Sequence, residues 1–119
     1  MAIDKRMLSL AASVAGDNTS KLDNRRSFLL GAVGMRKDGV LVTARNIAAT
    51  DVTPWAHAEA RVVKKLTCDS IVWVARVGRA TGEWAMARPC DACQRRMKTA
   101  GVRKVVYTIA PSEWGVIQL

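Results

Sequence analysis

His57-Ala58-Glu59 and, further along, Pro89-Cys90-Asp91-Ala92-Cys93 place the strongest constraint on how this 119-residue chain can fold. Together they offer one imidazole, two thiols and one carboxylate, the set a catalytic zinc needs, and they serve one ion only if two distant segments converge. Three nitrogen and sulfur ligands leave the fourth tetrahedral position open to water, whereas a structural zinc closes it with a further Cys or His. The chain has one histidine and three cysteines. Its remaining thiol, Cys68, lies outside both clusters, in a Thr67-Cys68-Asp69 stretch that reads as a turn, so a closed four-ligand site is the weaker reading. A Cys-x-x-C by itself would also suit a dithiol redox site. That chemistry has no need of a His-x-Glu on another predicted helix.

The spacing within each cluster has a physical rationale. If His57 begins a helix, Glu59 projects about 200° around the axis from it. It cannot comfortably chelate the same ion, but it can reach over a metal-bound water. Cys90 and Cys93 are three apart, which puts both sulfurs on one face of a helical turn. Pro89 directly ahead suits the start of a helix, and the open N–H groups and the dipole favour negative charge at that end.

This pair of motifs resembles the zinc-dependent nucleobase deaminases, whose signature is H-x-E followed by P-C-x-x-C. The resemblance implies Zn2+ as cofactor, with His57, Cys90 and Cys93 as its ligands and Glu59 as the proton shuttle. It also implies attack of a zinc-activated water on C4 of a cytosine, with ammonia leaving. By the same analogy the Ala58 N–H meets the pyrimidine carbonyl, the Pro89 carbonyl accepts from the amino group, and Asn46 hydrogen-bonds the sugar. Read as a residue alone, Asn46 is an ordinary strand-end turn residue. Trp55 is placed to stack on a base, although tryptophan serves packing more often.

Hydrophobic patterning supplies the elements around these motifs. Ile3, Met7, Leu10, Ala11 and Val14 recur at helical spacing, predicting an amphipathic first helix that ends near Gly16. The same stretch, following Lys5-Arg6, has a weaker reading as a secretory signal. Ser27 to Arg36 reads as a buried strand, Lys37-Asp38-Gly39 as a tight turn and Val40 to Asn46 as the antiparallel partner. A helix over His57 to Leu66 follows, then an apolar strand from Ser70 to Val77 that suits the centre of a sheet. A segment from Gly78 to Arg88, turning at Thr81-Gly82, leads to a helix over Cys90 to Ala100 with Cys93, Met97 and Ala100 inward. Lys104 to Ile109 and Trp114 to Leu119 are the last strands. The link from Ala110 to Glu113 is too short for a helical crossover, so these two pair antiparallel.

That order is similar to the cytidine-deaminase-like fold, an α/β architecture of three α/β/α layers on a mixed five-stranded sheet with an antiparallel last strand. The resemblance covers essentially the whole chain and implies a single domain over 1–119. An antiparallel last strand resembles the branch of free-nucleoside cytidine deaminases and small toxin-type deaminases. His57 departs from that branch, where nucleoside enzymes usually carry Cys; His-type ligation is shared by nucleotide and nucleic-acid deaminases.

Charge bears on the substrate. Nineteen Lys and Arg against ten Asp and Glu give a formal net charge of +9 and a pI near 10.2, a field that attracts phosphates. Arg25, Arg26, Arg45 and Arg88 are the candidate phosphate contacts, with Arg76, Arg79, Arg95 and Arg96 also near predicted site loops. Each taken alone is an ordinary solvated cation; their number favours a polyanionic ligand. The expected partner is cytosine-containing single-stranded DNA or RNA, the alternative being free cytidine, deoxycytidine or their monophosphates. A non-catalytic zinc module is the third reading, against which Glu59 stands. There is no apolar run of the ~20 residues that a membrane span needs, and reduced, metal-binding cysteines favour the cytoplasm. Related free-nucleoside enzymes are often oligomers, so a homo-oligomer is among the expectations.

Overall fold

The structure, a computed structural model, describes residues 2–16, 28–45, 69–78 and 83–119. Helix α1 (Ala2–Gly16) comes first, followed by strands β1 (Phe28–Met35), β2 (Leu41–Arg45), β3 (Ser70–Gly78) and the short β4 (Trp84–Ala85). Helix α2 (Asp91–Thr99), β5 (Val102–Ala110) and β6 (Glu113–Gln118) complete the described chain. The helix expected over His57 to Leu66 and the turn expected at Thr81-Gly82 lie outside the described residues.

The β1–β2 hairpin forms where Lys37-Asp38-Gly39 predicts it. Gly39 takes φ +88°, which only a residue without a Cβ adopts at little cost. The Gly39 N–H donates to the Arg36 carbonyl at 2.9 Å, the Arg36 N–H donates to Val40 at 2.9 Å, and Asp38 Oδ1 accepts from the Val40 N–H at 3.1 Å. This is a three-residue loop closed by a left-handed glycine.

The strands order as β2-β1-β3-β5-β6, with β4 paired to β3 off that path. Pairing is antiparallel throughout except between β3 and β5, which run parallel from Ser70↔Val102 to Val74↔Tyr107. The five-strand mixed path and its antiparallel last strand agree with the pattern read from the sequence. β4 is an addition, because a two-residue pairing leaves no periodicity to detect.

Alternation along the central strands sends their side chains into two cores. On one face Ala32, Val72, Val74 and Val105 pack with Cys93 and Met97 of α2. On the other Val33, Trp73, Ala75 and Val106 pack with Met7, Leu8 and Ala11 of α1. The helices therefore cover opposite faces, which makes three layers. Burying a side chain such as Leu8 contributes about 1.5–3 kcal/mol. β1 and α1 approach so closely that a Cβ on Gly31 would overlap the Ala11 carbonyl oxygen and the Ala15 backbone.

The inner face of α1 differs from the expected one. Asp4, Met7, Leu8, Ala11 and Ala15 are buried, while Ile3 and Leu10 are 48% and 38% exposed. The cause is a polar residue in the core stripe: Trp73 Nε1 donates to Asp4 Oδ1 at 3.0 Å in a buried contact, so the carboxylate turns inward and rotates the helix about its axis. Among the described residues no helix is long and apolar enough to cross a membrane.

Candidate active site

β3 and β5 run side by side only as far as Val74 and Tyr107; beyond them their C-terminal ends part. β3 turns its Arg76 and Val77 to β4 instead. Thr108, fully buried, bridges the split: its Oγ1 donates to the Ala85 carbonyl at 2.7 Å and accepts from the Arg76 N–H at 3.1 Å. Its own carbonyl accepts from the Ala87 N–H at 2.9 Å. A crevice outside the carboxyl ends of neighbouring parallel strands is where open α/β sheets place their ligands. Here residues 84–89 are drawn into that position and deliver the chain to the head of α2.

Cys90 is the N-cap of α2, in an extended conformation (φ −67°, ψ 164°), and its sulfur makes no capping hydrogen bond. The helix therefore starts one residue later than the predicted Cys90 to Ala100 span, since an N-cap keeps non-helical dihedrals. Cys93 sits at the third helical position, buried, while Cys90 is exposed. Two soft sulfur donors one turn apart at a helix N-terminus, one anchored in the core and one at the surface, suit zinc. Pro89 is buried immediately before them, and Gln94 Nε2 donates to its carbonyl oxygen at 2.9 Å.

Of the residues singled out in the sequence, the structure brings Arg88, Pro89, Cys90 and Cys93 together at this end of the sheet. Arg45 ends β2, its side chain outside the described set. Arg25, Arg26, Asn46, Trp55, His57, Ala58 and Glu59 also lie outside the described residues. Among the described residues no group of three His, Cys, Asp or Glu stands together. Thr108 and Gln94 are the positioning residues that the motifs do not reveal. The one sign of Thr108 in the sequence is a hydroxyl interrupting the apolar run from Val105 to Ile109; Gln94 leaves none.

Parting parallel strands, with a cysteine pair at the adjoining helix start and helices on both faces of the sheet, form the framework of the deaminase fold. The family model of the cytidine and deoxycytidylate deaminase zinc-binding region matches residues 1–109, and the chain belongs to that family. Its metal is therefore zinc. Among solved structures, a cytidine deaminase from Burkholderia pseudomallei superposes with a TM-score of 0.70 at 17% identity, covering 96% of this chain and 91% of its own. A cytidine deaminase from Mycobacterium tuberculosis gives a TM-score of 0.50 at 20% identity, covering 90% and 85%. At such identities the likeness speaks for the fold. No curated protein sequence matches the chain.

Proposed function

We propose that this cytidine-type deaminase is a hydrolytic, zinc-dependent enzyme that converts cytosine to uracil in single-stranded DNA or RNA. The observation that carries the substrate class is the formal net charge of +9 on 119 residues, far more than one monophosphate requires. A basic surface that tracks a backbone, with aromatic side chains stacking on bases, is how single strands are held.

In this reading His57, Cys90 and Cys93 hold the zinc. Bound zinc supplies a water acidified to a pKa of about 7. Glu59 would carry the two protons of that water in turn, the first to the ring nitrogen N3 as the oxygen bonds to C4 and the second to the exocyclic nitrogen as the C4–N bond breaks, so that ammonia leaves and the oxygen becomes the uracil carbonyl. The Ala58 N–H orients the pyrimidine carbonyl, and the Pro89 carbonyl receives the amino group. Asn46 binds the sugar and Trp55 stacks on the base. Arg25, Arg26, Arg45 and Arg88 meet phosphates. The enzyme acts as a single domain in the cytoplasm.

A second reading takes free cytidine, deoxycytidine or their monophosphates, in a homo-oligomer. The antiparallel β5–β6 pair and the two structural neighbours, both named cytidine deaminases, favour it. Parallel incubation with cytidine, deoxycytidine, their monophosphates and single-stranded cytosine oligonucleotides, scored for uracil by mass spectrometry, decides between them. Counterion release makes single-strand affinity fall with salt, with a log–log slope of roughly −0.7 per phosphate contact. Subsaturating rates on the oligonucleotide should fall steeply across a salt series and those on deoxycytidine monophosphate only shallowly. Turnover of the free forms with no oligonucleotide product at low salt would establish the second reading.

A further inference from the structure

Between β4 and α2 the chain runs as a strap in which burial alternates residue by residue. Met86 is 49% exposed, Ala87 5%, Arg88 exposed, Pro89 buried and Cys90 exposed. The strap is held through its main chain. Ala85 and Ala87 are both hydrogen-bonded to Thr108, at 2.7 and 2.9 Å, and the Pro89 carbonyl is held by Gln94 at 2.9 Å. Pro89 further restricts Arg88 to extended geometry, and Cys90 is itself extended. Successive side chains of an extended segment project to opposite sides. With the side chains of Ala87 and Pro89 buried inward, Met86, Arg88 and Cys90 share the outer side in a row.

We infer that this row is a binding surface for the nucleotide next to the target cytosine, with Arg88 taking the phosphate that joins them and Met86 offering an apolar face to the neighbouring base. Two residues of extended chain span about 6.6 Å, so Met86 stands roughly 13 Å along the strap from Cys90. A mononucleoside seated beside Cys90 does not extend that far; a second nucleotide does. An unbranched, polarisable thioether adapts to any base face, which suits a site that grips a strand without reading its sequence. The inference rests on the reading that cytosine reacts beside Cys90, and it adds single-stranded nucleic acid, at least a dinucleotide, as the ligand of the strap.

The test separates binding from chemistry. Affinity for a fluorescent single-stranded thymine oligonucleotide, which is not deaminated, is measured by anisotropy across a salt series for wild type, Arg88→Ala and Met86→Ser. Rates on a cytosine oligonucleotide and on deoxycytidine are measured in parallel. Arg88→Ala should weaken oligonucleotide binding several-fold and flatten the salt slope by about 0.7, the share of one phosphate. Met86→Ser should weaken it roughly five-fold or more with the slope kept, as for loss of one stacked base. For both, the loss on the cytosine oligonucleotide should exceed that on deoxycytidine at least five-fold. Oligonucleotide binding that is absent in wild type or indifferent to both substitutions, or equal losses on the two substrates, would overturn the strap surface. A wild type without deaminase activity whose oligonucleotide binding still depends on Arg88 and Met86 would instead remove the proposed reaction and leave the surface standing.

Discussion

Gln94 reaches back over the first turn of α2 and donates from Nε2 to the Pro89 carbonyl at 2.9 Å, fixing the peptide that precedes the first thiol. That carbonyl has a second lone pair, the one assigned here to the cytosine amino group. In the proposed function, Gln94 would act on the substrate through Pro89, as a positioning residue. Gln94→Leu should lower kcat/KM roughly ten-fold, about the 1–3 kcal/mol at stake when a buried polar group loses its partner. Zinc content should stay at the wild-type level; a parallel loss of metal would make the residue structural instead.

One zinc per chain is expected, and Cys93→Ala and His57→Ala should each lose most of it by elemental analysis of purified protein. Cys93 is also fully buried in the core beneath α2, so its substitution should lower the thermal midpoint even in metal-free protein. Full zinc occupancy without His57 would require another nitrogen or sulfur ligand.

Glu59→Gln should retain zinc and folding but reduce turnover by two or more orders of magnitude, since general acid–base catalysis contributes typically ~10²–10⁴. Stopped assays scored for uracil, read beside the metal content, check this. Near wild-type turnover with zinc bound would assign the proton to another group.

Asp4→Ala should destabilise the fold by about 1–3 kcal/mol, because it leaves the Trp73 indole N–H buried without an acceptor. Urea unfolding followed by tryptophan fluorescence measures it. Asp4→Asn, which keeps an acceptor oxygen, should recover most of the loss.

Local signals were the legible ones. Lys37-Asp38-Gly39 announces its turn because glycine chemistry is local, and Ser70 to Val77 announces a central strand because both of its faces are apolar. The start of the helix that carries the two thiols was legible to within one residue: Pro89 marks the start of α2, and Cys90 proved to be its cap. The face of α1 was misjudged because Asp4 counts as solvent-facing in any periodicity, and only its distant partner Trp73 turns it inward. The clamp at Thr108 was invisible for a similar reason. Its three hydrogen bonds reach Arg76, Ala85 and Ala87, and no local pattern records a contact made across a split between strands. The His57 half lies outside the described residues and stays a reading of its motif.

Thr108 couples three separate stretches of chain, and this governs how the site breathes. The Arg76 and Ala87 amides end on one buried residue, so neither can open to solvent without parting β3, β5 and the strap together. Segments outside long strands ordinarily exchange their amide hydrogens through cheap local fluctuations. Here the Ala87 amide, held on the Thr108 main-chain carbonyl, should exchange only through near-global opening, as slowly as the centre of β3, whereas Thr108→Val removes the hydroxyl acceptor of the Arg76 amide and should release that amide to fast exchange while leaving the protection at Val72 and Val74 largely in place.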